Sequence, residues 1–292
     1  MMRDVIRLIR VKQWVKNIFV FLPIVFGGQL FNVACWREGI PAFIAFCLIA
    51  SSIYCINDIR DAESDRRHPR KCKRPIASGE ISVPAAIAIT MAFAAASLSI
   101  SAFLTNNAPE VTAIILFYFI LNILYCFKLK QITIVDVIVI SIGFVLRLFA
   151  GGIACGIELS PWIVLMTFLI SLFLAFAKRR DDLVMYEEDG IDTRKNVKSY
   201  NMEYLNLVLG LLVGITVICY IMYTLSDDVI TRIGSKYVYV TSIFVIAGMF
   251  RYLQIALVHN NSGSPTEILL HDHFIHGCII CWLFTFGILL YR

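Results

Sequence analysis

Asn57, Asp58, Asp61 and Asp65 open a charged segment that follows directly on an apolar run. On a helix turning about 100° per residue, aspartates at i, i+3 and i+7 share one stripe. Magnesium is held by one or two carboxylates together with phosphate oxygens of a substrate, so this spacing suits a metal-bridged polyphosphate. Seven Lys and Arg residues lie between Asn57 and Val83. Two of them, Lys73 and Arg74, are placed to give charge-assisted hydrogen bonds to phosphate. A plain lipid anchor would not carry acids that cancel its attraction to anionic headgroups. The segment is expected to handle phosphate, with Asp58, Asp61 and Asp65 on the metal.

A second charged segment runs from Lys178, Arg179, Arg180, Asp181 and Asp182 to Arg194, Lys195, Lys198 and Tyr200. Lys178 and Asp182 stand at i, i+4, the spacing of an ordinary exposed ion pair. The segment therefore reads either as a solvated face or as a second group of phosphate ligands. Asp136 and Arg147 are eleven residues apart, close to three helical turns, and so face one side of a helix. Ionisable groups at membrane depth point into a bundle, for substrate or for helix packing and gating.

The elements that position these groups are membrane helices. Of 292 residues, 59% are hydrophobic and 16% charged. A crossing takes about 17–25 apolar residues. Nine runs qualify, near 18–33, 40–56, 84–104, 111–127, 134–154, 161–177, 205–225, 237–257 and 275–291. They are continuous rather than alternating, which excludes a barrel and predicts an all-α fold. No repeat or linker divides them, so one integral-membrane domain is expected over 1–292.

Twenty-one Lys and Arg residues fall in the segments of one side and four on the other. The asymmetry predicts a multi-pass cell-membrane protein with a cytoplasmic amino terminus, cytoplasmic acidic segment and outer carboxyl terminus. Arg3, Arg7, Arg10, Lys12 and Lys16 precede the first run without a small-residue cleavage site. They read as an interfacial basic helix leading into a retained crossing, or as topogenic charge alone. The net charge of +5 suits lipid headgroups and anionic substrates rather than nucleic acid. Most of the nine cysteines lie in apolar runs and read as packing. Cys278 and Cys281 lack the second pair a zinc site needs. His271, Asp272, His273 and His276 fit helix capping or phosphate contact better than a transition metal.

Asn57, Asp58, Asp61 and Asp65 form an N-D-x-x-D-x-x-x-D pattern that resembles the UbiA-type prenyltransferase superfamily. Residues 12–17 (Lys-Gln-Trp-Val-Lys-Asn), His68-Pro69, 73–79 (Lys-Arg-Pro-Ile-Ala-Ser-Gly), 125–130 before Asp136, Arg147 with Gly151-Gly152, and Lys178-Arg179 extend the likeness over about 10–275. They bring to mind its phosphoribosyl-transferring branch. The resemblance implies a nine-helix bundle with cytoplasmic active-site loops and a Mg2+ cofactor, or Mn2+. It implies phosphoribosyl pyrophosphate as donor, a polyprenyl phosphate such as decaprenyl phosphate as acceptor, and a product bound for cell-envelope arabinose. It places Lys16, Tyr125, Lys130, Asp136, Arg147, Lys178, Arg179 and Asp182 with Lys73 and Arg74 at the substrates.

Prenyl-diphosphate-using members usually carry a second D-x-x-x-D cluster after the sixth helix. Here Asp181 and Asp182 have no acid four positions on. That departure favours a sugar diphosphate donor, leaving an aromatic prenyltransferase as the alternative. A non-enzymatic carrier fits less well, because transporters tend to place ionisable residues near the bilayer midplane and show repeated halves, whereas these charges cluster mainly in the segments expected as cytoplasmic loops.

Overall fold

The structure is a computed structural model that describes residues 2–67, 71–189, 195–258, 268 and 271–291. His68, Pro69 and Arg194 lie outside the described residues, as does the side chain of Lys195. Every regular element described is helical. They are α1 (Met2–Ile9), a 3₁₀ segment (Val11–Phe21), α2 (Leu22–Phe26), α3 (Val33–Arg66), α4 (Val83–Leu104), α5 (Ala108–Phe127), α6 (Val135–Ala154), α7 (Pro161–Asp189), α8 (Met202–Leu225), α9 (Asp227–Ile233), α10 (Ser242–Leu257) and α11 (His273–Tyr291). Short 3₁₀ turns at Lys71–Lys73, Leu129–Gln131, Lys195–Ser199 and Lys236–Thr241 complete the set. Eight helices among the described residues are long and apolar enough to cross a membrane. Leu207 and Phe284 are 72% and 70% exposed, an outward greasy face that suits lipid rather than water.

Contacts divide the chain into two compact units, one of Met1–Leu129 and Gly143–Leu159, the other of Lys130–Ile142 and Ser160–Arg292. In the first unit, α3 starts where the Asn32 side chain accepts from Ala34 N at 3.1 Å and then continues for 34 residues. At 1.5 Å per residue it is about 50 Å long, well beyond the roughly 30 Å of hydrocarbon. The acidic segment predicted to leave the membrane is therefore the helical end of α3, not a loop. Buried Ala42, Ala45, Ser51 and Ser52 keep the waist of α3 narrow. Helices in lipid associate through such close packing, and Ser97 on α4 donates to the Ala45 carbonyl at 2.7 Å.

The first expected crossing, 18–33, is not one long α-helix. Val11–Phe21 is 3₁₀, and it passes without a break into α2, since both Phe21 and Leu22 have right-handed helical backbones. Eleven 3₁₀ residues are unusual. The tight winding brings the carbonyl of Val20 against α6, where a Cβ on Gly151 would lie 1.8 Å from that oxygen. Only glycine fits there.

In the second unit α7 packs along α8, and α10 packs on both α8 and α11. Its core joins Phe173, Leu205, Leu209, Tyr252 and Ala256. Asn201 caps α8 by accepting from Tyr204 N at 2.7 Å, which ends the preceding turn at Tyr200 and fixes where that side chain points.

Candidate functional site

In the first unit Asp58 and Asp65 are 2% and 4% exposed. Asp58 Oδ1 accepts from Arg10 Nη2 at 2.5 Å and from Arg74 Nη1 at 3.1 Å, while Asp65 Oδ2 accepts from the same Arg74 nitrogen at 2.6 Å. Two carboxylates thus converge on one cationic nitrogen. Residues seven apart on a helix differ by only about 20° in direction, whereas three apart differ by about 60°. Asp61, at i+3, is accordingly half-buried beside the pair, as is Asn57. Among the described residues no three His, Cys, Asp or Glu side chains gather as a metal-binding group. Of the three aspartates on the expected stripe, Asp58 and Asp65 meet at Arg74, and Asp61 is half-buried on the same helix.

From the sequence Arg10 reads as part of an interfacial basic helix or of a topogenic charge cluster, without a partner. It breaks the chain between α1 and the 3₁₀ segment in a left-handed conformation, φ 52 and ψ 52, sparsely populated for a non-glycine residue. Its guanidinium lies 5.0 Å from the Tyr54 ring centroid. Forty-eight residues separate it from Asp58, so no local pattern could reveal the pair.

The turn carrying Arg74 is held by α1. Arg7 Nη2 donates to the Lys73 carbonyl at 2.6 Å and Nη1 to Glu80 at 2.9 Å. Beneath, Leu8 and Ile9 pack with Ile76, Ile81 and Ala62. The interfacial basic helix thus also buttresses the loop. The Lys73 side chain is exposed.

Deeper in the first unit, Arg147 is buried. Nε donates to Asn17 Oδ1 at 2.7 Å, Nη1 to the Gly143 carbonyl at 2.6 Å and Nη2 to Tyr118 Oη at 2.8 Å. Its guanidinium also lies over Tyr118, at 4.8 Å from the centroid. No carboxylate among the described residues pairs with it. Asn17, 1% exposed, also donates to Cys47 Sγ. Trp14 Nε1 donates to Ser51 Oγ at 3.0 Å. The Lys12–Asn17 motif therefore fastens the 3₁₀ segment to α3. Lys16, Tyr125 and Lys130 are half-buried in their own interactions.

In the second unit α7 continues past the apolar run, and Arg179, Arg180, Asp181 and Asp182 are all buried while Lys178 is exposed. This removes the solvated-face reading for those four. Arg179 Nη1 donates to Asp182 Oδ2 at 2.6 Å, and Arg179 Nε lies 3.4 Å from Asp136 Oδ2. A cation between two acids is the compensation a buried charge needs. Asp136 is completely buried and also accepts from Tyr200 Oη at 3.3 Å. The same hydroxyl accepts from Ile134 N at 2.9 Å. Ile134 has φ 71, an outlier for a β-branched residue. Burial, with Asp136 adding to it, pushes the Tyr200 hydroxyl up to about 12, so it stays protonated and able to donate. No local pattern reveals this role, because the partners are 64 residues apart.

Asp272 caps α11. Its Oδ1 accepts from Ile275 N at 2.9 Å, and Oδ2 from Arg251 Nε and Nη2 at 3.1 and 2.8 Å. The Arg251 bonds and that cap hold its carboxyl below the usual range. Cys278 and Cys281 are free thiols.

Long apolar helices with buried ionic groups at their ends define a multi-pass membrane protein. A model of the UbiA prenyltransferase family matches residues 20–262, and the chain belongs to that family. It is 36% identical, over 98% of its length and 92% of the relative's, to a decaprenyl-phosphate phosphoribosyltransferase of Mycolicibacterium smegmatis. It is 33% identical, over 98% of its length and 86% of the relative's, to the protein of that name from Corynebacterium glutamicum. In fold it is similar to a UbiA homologue from Archaeoglobus fulgidus solved with DMAPP and Mg2+, with a TM-score of 0.72 at 22% identity, covering 97% of this chain and 98% of that one.

Proposed function

We propose that the protein transfers the 5-phosphoribosyl group of phosphoribosyl pyrophosphate to a polyprenyl phosphate of the decaprenyl type, releasing pyrophosphate, in synthesis of a cell-envelope arabinose donor. The observation that carries this reading is the 36% identity over 98% of the chain to a relative of that named activity. An oxygen of the lipid phosphate bonds to the anomeric carbon as the bond from that carbon to pyrophosphate breaks, with inversion. The acceptor is anionic near neutral pH, so no general base is required.

Asp58 and Asp65, which already share one cationic nitrogen, fit a divalent cation such as Mg2+ or Mn2+, with Asp61 and Asn57 beside them. When bound, that cation offsets the charge on departing pyrophosphate. Arg10, Lys73 and Arg74 bind its remaining oxygens. Arg179, held by Asp136 and Asp182, and Lys178 serve the donor's 5-phosphate, with Tyr125 and Lys130 at the ribose. Arg147, a buried cation without a carboxylate partner among the described residues, and Lys16 serve the acceptor phosphate. These groups belong to one integral-membrane transferase domain with nine crossings, a cytoplasmic amino terminus and an outer carboxyl terminus.

Mass spectrometry after supplying purified protein with phosphoribosyl pyrophosphate and polyprenyl phosphates of several lengths tests the reaction. We expect a phosphoribosylated lipid, lost in chelator, and turnover at least about a hundredfold lower in Asp58→Asn, the scale of losing preorganised electrostatics. Prenyl transfer from a prenyl diphosphate to an aromatic acid, with no use of the sugar donor, would replace this reading.

A further inference from the structure

Asn196 sits in the 3₁₀ turn Lys195–Ser199, four residues before Tyr200, and that turn packs on α7. The residue is 2% exposed, yet among the described residues neither Oδ1 nor Nδ2 has a hydrogen-bond partner. A carboxamide shut away from water with both atoms unpaired bears its full desolvation penalty. Folded proteins leave few such groups, and each calls for a cause. The Tyr200 hydroxyl, just beyond the turn, is already committed, since it lies between Ile134 N and Asp136 Oδ1.

The missing partner has a definite chemistry. Asn196 offers an acceptor at Oδ1 and donors at Nδ2. A phosphate ionised at neutral pH brings acceptors, so it answers Nδ2 and leaves Oδ1 bare. A prenyl chain answers neither. A hydroxyl donates and accepts, and two neighbouring hydroxyls satisfy both atoms at once. We propose that Asn196 binds the vicinal hydroxyls of the donor's ribose and thereby selects a pentosyl donor over a prenyl diphosphate. This rests on the phosphoribosyl-transfer reading and narrows it to a sugar contact in the second unit. A site built to hydrogen-bond a hydroxyl rejects the analogue that lacks it far more strongly than an apolar site rejects a small change in shape.

The test combines Asn196→Leu with donors lacking the 2- or the 3-hydroxyl. Leucine is close in volume and removes the unpaired amide, so the unfolding midpoint in detergent should stay level or rise. The Michaelis constant for phosphoribosyl pyrophosphate should rise about tenfold or more, the scale of a lost hydrogen bond of about 1.4 kcal/mol, while that for polyprenyl phosphate stays within about twofold. Wild-type protein should discriminate against at least one deoxy donor by about tenfold, and Asn196→Leu should lose most of that discrimination. Wild-type constants in the variant, a lowered midpoint, or undiminished discrimination would each overturn the assignment. Asn196→Ala repeats the comparison of donors and should lose the same discrimination. Failure of the reaction reading shows separately, as wild-type protein that releases no pyrophosphate. In that event ribose 5-phosphate should still raise the unfolding midpoint of wild type and not of Asn196→Leu, and a shift in neither would end the proposal.

Discussion

Tyr200 joins two features that neither its own position nor Asp136 would suggest alone. Its hydroxyl holds the left-handed Ile134 backbone and, with Arg179, fixes Asp136 from two sides. A non-glycine residue held in such a region costs about 1–3 kcal/mol and persists only where surroundings enforce it. Tyr200→Phe keeps the stacking on Tyr204 but removes the hydroxyl. We expect it to lower stability by about 1–2 kcal/mol in reversible denaturation, and Ile134→Gly in that background to recover part of the loss, because glycine adopts positive φ without strain. No recovery in the double variant would mean that Ile134 is not what the hydroxyl supports. The aspartates on α3 were legible in the sequence because a single helix sets their spacing. Arg10, Tyr200 and Asn196 were not, because their significance arises where distant segments meet or where a polar group is buried without a partner. Burial also decided the Arg179 segment, whose i, i+4 spacing alone fits a solvated face equally well.

At the scale of elements, apolar run length found eight helices but misjudged where two of them end. Both α3 and α7 continue past their apolar runs, so charged segments expected as loops are helical extensions with fixed side-chain directions. A hydropathy reading stops at the first charge, whereas backbone hydrogen bonds continue as long as side chains find partners, as Asp58 and Asp65 do at Arg74. The 3₁₀ winding was equally hidden, since the apolar run that begins at Ile18 has the same composition whether it winds as 3₁₀ or as α-helix. Its contact with α6 depends on Gly151, where an added methyl would overlap the Val20 carbonyl. Gly151→Ala should therefore lower the unfolding midpoint by several degrees, the effect of about 1–3 kcal/mol of overpacking. Gly210→Ala, where an added Cβ meets nothing within 4 Å, serves as the neutral control. Equal midpoints for the two variants would show that the 3₁₀ segment yields without cost.

For the whole molecule, sidedness turns on that same segment. Eight long helices alone would put both termini on one side, and the charge asymmetry of twenty-one to four asks for an odd number of crossings under the positive-inside rule. Val11–Phe21 at about 2.0 Å per residue and Leu22–Phe26 at about 1.5 Å together reach about 30 Å, the thickness of the hydrocarbon core. If this stretch crosses, Arg3 and Lys128 are separated by four crossings and lie on one side. If it does not, three separate them and they lie on opposite sides. Single cysteines at these two positions, in protein whose accessible native cysteines are replaced, should both react with an impermeant maleimide in inside-out vesicles and neither in right-side-out ones. Labelling of the pair from opposite faces would leave eight crossings, move the amino terminus away from Lys128, and require Arg10 to reach Asp58 from a segment that re-enters the membrane.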